Sequence, residues 1–299
     1  MQYINAKQIL SGFNTNDFWF GINYNMNIYK GCSHGCIYCD SRSDCYGIDN
    51  FDEIRIKKEA LNIIQRELSS KRTKGVVGTG AMSDPYNPIE AEVKLTRGAL
   101  NLINKYGFGI SIATKSSLVV RDTDILLEIS KHSPVLVLMT ITTVDDNVSR
   151  VIEPNVNLSS ERFASLKYIS NHGIKTGILL MPTLPFITDS ERNIDEIVDR
   201  ASKSGVSYIY PSFGVTLRQN QRTHFLNKLE DIDSGLKKKY IDTFGNSYMC
   251  NTQNDRLPNR FRQKCEEVGI KYKMAEIISD YKIDYQKKQL SIFGSDLLE

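Results

Sequence analysis

A chain of 299 residues with 40% hydrophobic content can bury a sizeable core, either as one large domain or as two ordinary ones, and its net charge of +3 neither demands nor excludes nucleic acid. Six cysteines are far too few for a disulfide scaffold, and no apolar run is long enough for a transmembrane helix. The start, Met1-Gln2-Tyr3-Ile4-Asn5-Ala6-Lys7, lacks the charged-then-apolar layout of a signal peptide, so a cytoplasmic chain with reduced thiols is expected.

Residues 1–18 are mixed and polar, with a turn signal at Ser11-Gly12, and read as an N-terminal lead-in. Residues 18–29 are rich in aromatic and apolar side chains and alternate in part, as a strand does. Helical spacing over 54–68 (Ile54, Ile56, Leu61, Ile64, Leu68) predicts the first helix, and 75–79 a short strand. The alternation then repeats. Helices are expected at 95–106, 122–131, 159–171 and 189–203, and strands at 108–113, 135–143, 174–181 and 206–210. Ser159 or Ser160 is the expected cap of the third of these helices, with Gly173 at its end, and Gly205 closes the fourth. Six strands alternating with helices predict parallel βα units. Six fall short of the eight of a full barrel, so the expected fold is α/β, a partial (β/α)6 TIM-type barrel over 19–215. From 216 to 284 helical patterns dominate, notably at 223–240 and 259–268, and predict a helical extension; 285–299 reads as a tail.

The densest chemistry lies after the first strand, in Gly31-Cys32-Ser33-His34-Gly35-Cys36-Ile37-Tyr38-Cys39. Three thiols at Cys-x3-Cys-x2-Cys spacing are soft ligands suited to zinc or to an iron–sulfur cluster. Either metal centre normally takes four ligands, which leaves one position for His34, Cys45 or a substrate. In a βα barrel the chemistry sits on the loops after the strands. Ala81 to Glu90, Thr114-Lys115-Ser116, Thr142-Thr143, Pro182-Thr183-Leu184-Pro185 and Pro211-Ser212-Phe213-Gly214 all occupy such loops, so they and the cysteines would share one mouth.

The cysteine spacing, with an aromatic residue before the third thiol, resembles the radical S-adenosylmethionine (radical SAM) superfamily. The ordered run Ser83-Asp84-Pro85-Tyr86, Glu90, Thr96-Arg97, Thr114-Lys115, Arg121-Asp122, Thr140-Ile141-Thr142-Thr143 and Glu153-Pro154 is similar to its spore photoproduct lyase-like branch over roughly 20–215. The resemblance implies that Cys32, Cys36 and Cys39 each hold one iron of a [4Fe-4S] cluster, and that the fourth iron is left to S-adenosylmethionine. It implies that Ser83 and Asp84 contact this cofactor and that Lys115 pairs with its carboxylate, with Tyr38 and Thr142 as further cofactor-binding residues. It also implies cleavage to a 5′-deoxyadenosyl radical, an electron donor, and a nucleic acid or nucleotide lesion as substrate. One departure is clear. The lyase carries a hydrogen-donating cysteine two residues before the Ser-Asp pair, and this chain has Ala81 there; Cys45 or a tyrosine is the candidate donor in its place.

Gln289-Leu290-Ser291-Ile292-Phe293 resembles the pentapeptide by which bacterial repair and replication proteins dock on the sliding clamp. Asp122 reads as a helix cap. Glu153 reads as an ion-pair or loop-fixing group, with Arg150 or Arg162 as partner. Cys250 and Cys265 read as structural. The competing expectation is a non-catalytic zinc adaptor that binds the clamp or nucleic acid; a radical enzyme acting on a peptide or small molecule is the other.

Overall fold

The structure is a computed structural model; it describes residues 2–12 and 19–293, the side chains of 284 and 286–293 excepted. Six parallel strands form one sheet in chain order: β1 (Tyr24–Met26), β2 (Val76–Gly78), β3 (Gly109–Thr114), β4 (Val135–Thr140), β5 (Lys175–Leu180) and β6 (Tyr208–Pro211). The crossover helices are α1 (Ala60–Ser70), α2 (Leu95–Lys105), α3 (Thr123–Ser130), α4 (Ser159–Asn171) and α5 (Glu191–Lys203). Strand Leu10–Gly12 pairs antiparallel with the free edge of β1. This is the expected partial (β/α)6 barrel.

The strands run almost unbroken in apolar residues because both faces are covered. On β4, Val135 and Val137 pack outward against Ile110, Ile112, Ile125, Leu126 and Ile129. Leu136 and Leu138 point to the other face, where they meet Leu179, Tyr208 and Phe20. Each such side chain contributes about 1.5–3 kcal/mol by burial. The inner face is closed by α7 (Met274–Phe293), which inserts Ile277 and Tyr281 there. The Tyr281 hydroxyl donates to the Phe20 carbonyl at 2.5 Å. Asp280 accepts from Lys175 at 3.1 Å, from the Tyr208 hydroxyl at 2.5 Å, and from Lys271. A further helix, α6 (Leu257–Val268), packs on α5 through the ion pairs Arg260–Asp195 and Lys264–Asp199.

Several expectations are corrected. The Ser11-Gly12 pair lies in a strand, not a turn. The first strand is shorter than 18–29, because Trp19–Gly21 is a 3-10 turn. The helix expected over 54–68 starts only at Ala60. Arg55–Lys57 is a strand between Gln2–Ile4 and Tyr29–Lys30, with Ile56 buried and its neighbours half-exposed. Leu158, not Ser159 or Ser160, caps α4, with Glu161 reaching back to accept its amide at 2.7 Å. The helix expected over 223–240 is two, Gln221–Leu229 and Leu236–Phe244. They are separated by a turn in which Asp233 accepts the Gly235 amide at 2.7 Å. The extension also holds an antiparallel pair, Gly214–Thr216 with Met249–Asn251. The boundary expected at 285 falls inside α7, whose backbone is helical through 289–293; the side chains of that docking motif lie outside the described residues.

Candidate cluster and cofactor site

The cysteine loop leaves the short strand Tyr29–Lys30 and is pinned on every side. Gly31, at φ +83°, starts it, and a Cβ there would stand 2.3 Å from the Glu53 carbonyl oxygen. The Cys32 amide donates to Phe51 O at 2.8 Å and the Ile37 amide to Ile152 O at 3.0 Å. The Ser83 hydroxyl donates to Gly31 O at 2.6 Å, and the Asn155 amide group to Ser33 O at 2.9 Å. From the helical extension, Gln221 Nε2 donates to Tyr38 O at 3.0 Å. Sequence reading missed Gln221, because a lone glutamine opening a helix carries no spacing signal.

Cys32 and Cys36 are buried, Cys39 is half-buried, and all three are free thiols. Cys36 is close enough to the other two for each to act electrostatically on it. Burial, and after it Asp84, pushes the Cys32 thiol up to about 11; burial also raises Cys36 and Cys39. Metal binding at these thiols therefore requires proton release. Among the described residues no three His, Cys, Asp or Glu side chains converge on one ion position. A cluster of several irons takes thiolates on separate irons and needs no single meeting point. His34 is buried in this loop with Nδ1 3.4 Å from Asp84 Oδ2; burial lowers its basicity, Asp84 opposing.

Asp84 is the knot between the loops after β2 and β3. Its Oδ1 accepts the Tyr86 amide at 2.8 Å and the Thr114 hydroxyl at 2.6 Å, and its Oδ2 accepts the Lys115 amide at 2.8 Å. The Lys115 side chain turns into the mouth, its Nζ 5.7 Å from the Tyr38 ring centroid. It forms no ion pair among the described residues. Burial pulls its ammonium down, but Cys36, Glu153, Cys39 and Asp84 outweigh burial and raise it, so it stays charged. Beneath it, the Tyr38 hydroxyl donates to Glu153, which is ion-paired with Arg162. Arg162, not Arg150, is thus the partner of Glu153; Arg150 reaches Asn147 at 3.2 Å.

The other ordered motifs prove to be one brace. Glu90 accepts the Thr96 amide at 2.9 Å and Arg121 Nη2 at 2.7 Å. Asp122 accepts Arg97 Nη1 at 2.9 Å and Arg121 Nε at 2.8 Å. Asp122 sits at the start of α3 without capping it, because its carboxylate is taken by the two arginines.

Residues 26–201 match the family model of the radical SAM superfamily. The chain belongs to that superfamily. It is 32% identical over 236 residues to an uncharacterized protein of Methanocaldococcus jannaschii, spanning 74% of this chain and 88% of the relative. An uncharacterized protein of Mycobacterium tuberculosis is 26% identical over 267 residues, 87% of this chain and 75% of that one. Among solved structures, a spore photoproduct lyase complexed with a dinucleoside spore photoproduct superposes with a TM-score of 0.63 at 15% identity, covering 90% of this chain and 80% of that one. At that identity the likeness establishes the fold, a radical SAM partial barrel.

The mouth of this radical SAM enzyme fits a polar, zwitterionic cofactor. Thr142 Oγ1, expected to bind it, is buried with no hydrogen-bond partner, and Thr183 Oγ1 and Thr79 Oγ1 are likewise unpaired. These three hydroxyls lie on or just beyond the C-terminal ends of β4, β5 and β2. Thr183 was legible only as part of its loop. Ser83 and Asp84, expected to contact the cofactor, form hydrogen bonds that hold the loops on which the thiols and Lys115 stand. Cys45 is exposed; Arg218 Nη1 donates to its sulfur at 2.9 Å and the Ser43 oxygen is 3.0 Å away. The Ser43 contact, and then Arg218, lower its thiol below the ordinary value. A groove of about 370 Å³ is lined by His34 of the cysteine loop together with Tyr86, Ser116 and Asn157.

Proposed function

We propose that Cys32, Cys36 and Cys39 hold a [4Fe-4S] cluster, and that the enzyme cleaves S-adenosylmethionine and acts on nucleic acid or a nucleotide lesion. The observation that carries the cofactor reading is the pinned three-thiol loop with the Lys115 ammonium, free of any ion pair among the described residues, over its Tyr38 ring. The unpaired buried hydroxyls of Thr142 and Thr183 beyond the ends of β4 and β5 add to it. When bound, the cluster and S-adenosylmethionine together supply one-electron cleavage to methionine and a 5′-deoxyadenosyl radical. The chain's own residues bind, orient and exclude water. Lys115 offers a fixed cation to a carboxylate, Tyr38 floors the mouth, Thr142 and Thr183 offer hydroxyls, and the Asp84 knot keeps these loops from shifting. An external electron donor belongs to this reading.

The nucleic-acid reading is supported by the ordered motifs shared with the spore photoproduct lyase-like branch. Ala81 is exposed in the loop after β2, so the hydrogen-returning step of that lyase has no thiol there. Cys45 is proposed as the donor; that role requires its S–H form, which Arg218 and Ser43 disfavour. Docking to the sliding clamp through Gln289-Leu290-Ser291-Ile292-Phe293 is a further part of the proposal, tested by whether deletion of these five residues abolishes clamp binding.

The decisive experiment uses protein purified without oxygen. Iron, sulfide and, after dithionite and S-adenosylmethionine, 5′-deoxyadenosine are measured for the wild type and Cys36→Ala. A brown protein whose product is lost in the variant supports the reading. A colourless zinc protein that gives no cleavage after cluster reconstitution refutes it in favour of the adaptor.

A further inference from the structure

Glu153 stands where the cysteine loop meets the barrel wall. It is 1% exposed and its partner Arg162 0% exposed. One carboxylate oxygen accepts the Tyr38 hydroxyl and the other accepts Arg162. Arg162 is fixed independently of Glu153. Its Nη1 donates to Thr140 O at 2.6 Å, its Nε to Asn157 O at 2.9 Å and its Nη2 to Ser149 Oγ at 2.8 Å. The carboxylate therefore ties a rigid point at the end of β4 to Tyr38, the residue just before Cys39.

Charge at this wall is unbalanced without it. Lys115 and Arg162 both face Glu153, and Glu153 acts electrostatically on Cys36. A buried ion pair is weak grounds for a purely stabilising role, because apolar residues of equal volume often do as well. A hydroxyl acceptor beneath the cysteine loop and a negative charge beside two cations are things apolar residues cannot supply.

We propose that Glu153 is a positioning residue for the cluster: through the Tyr38 hydroxyl it fixes the Cys36–Cys39 segment, and its charge offsets Lys115 and Arg162 so that the cluster keeps a low reduction potential. This rests on the cluster assignment above. Reduction adds an electron, and net charge and hydrogen bonding around an iron–sulfur cluster set its potential. Neutralising Glu153 leaves an extra positive charge at the wall, which favours the reduced form.

The test is an EPR-monitored redox titration, with iron and sulfide content, on reconstituted wild type, Glu153→Gln, Glu153→Asp and the double variant Glu153→Gln with Lys115→Met. Glu153→Gln is expected to titrate at a more positive potential with its iron retained, and the charge-compensating double variant to shift back. A fully loaded Glu153→Gln protein with an unchanged potential overturns the proposal. Should Glu153→Gln hold no cluster, Glu153→Asp decides: restored iron at low potential upholds the role of the charge, and an empty site in that variant too overturns it. Absence of iron from the wild type would instead refute the cluster assignment itself.

Discussion

Lys115 gives its backbone amide to Asp84 Oδ2 at 2.8 Å while its ammonium turns toward the Tyr38 ring, so one residue is anchored by its main chain and presented by its side chain. Thr114, immediately before it, donates to the other Asp84 oxygen at 2.6 Å. Asp84→Asn replaces one of these acceptors with a donor and sets it against an N–H or O–H. We expect a loss of about 1–3 kcal/mol in stability. We also expect weaker binding of S-adenosylmethionine, by tenfold or thereabouts, as Lys115 shifts. Thermal unfolding and equilibrium dialysis measure the two separately; unchanged binding would show that the knot does not place Lys115.

The cysteine loop tolerates no side chain at its entry. Gly31→Ala would put a Cβ 2.3 Å from the Glu53 carbonyl and hold a non-glycine residue at φ +83°. Both are backbone constraints, and together they should cost at least about 1–3 kcal/mol. Because strain is released by moving the loop, iron retained after desalting should fall more than global stability does. Gly47→Ala, also at positive φ but with open space around it, is the control and should keep its iron.

Removing Arg162 leaves the Glu153 carboxylate buried without its ion-pair partner, accepting from the Tyr38 hydroxyl alone. Arg162→Met should destabilise the fold by about 3–5 kcal/mol in denaturant unfolding, as breaking one side of a buried pair does. Arg162→Met with Glu153→Leu removes both charges and should recover much of the loss. If the single and double variants unfold alike, the cost lies in the other Arg162 hydrogen bonds rather than in the stranded charge.

Three partners hold Asp280 at about 2, against burial, chiefly the hydrogen bonds from Lys271, Tyr208 and Lys175. A carboxyl lowered in the folded state contributes its stabilisation fully above the unfolded value near pH 4 and loses it as pH falls toward 2. Both lysines are well exposed, so Asp280→Asn should cost only about 1 kcal/mol at neutral pH. The difference between wild type and variant should shrink as pH drops from 4 through 2, which a pH series of urea midpoints reads directly. A difference that persists undiminished well below pH 2 would show that the cost of the substitution does not lie in the carboxylate's charge.

How far the site was legible depends on the kind of signal. The thiols could be picked out because a loop ligand set is local in the chain. The strand order could be read because apolar runs of six residues between amphipathic helices have few other solutions. Helix 54–68 was misread because Ile54 and Ile56 fit both a helical face and a strand alternation, and only pairing with Gln2–Ile4 decides between them. The Asp122 carboxylate looked like a cap because its position before a helix is local information, whereas Arg97 and Arg121 reach it through space.

The sequence by itself determined the six parallel βα units, the three-thiol loop after the first strand and the set of polar residues after the others, since each is written in local spacing and periodicity. Only the tertiary structure decided which of those residues serve each other. Tyr38 and Glu153 lie 115 residues apart in the chain, and Gln221 reaches Tyr38 across 183. Such pairings follow from where strand ends converge when the sheet curls, and no pattern along the chain encodes that distance. The closure of the inner face by α7 is of the same kind, because burial of Ile277 and Tyr281 is fixed by the open side of a six-strand barrel and not by the helix's own sequence.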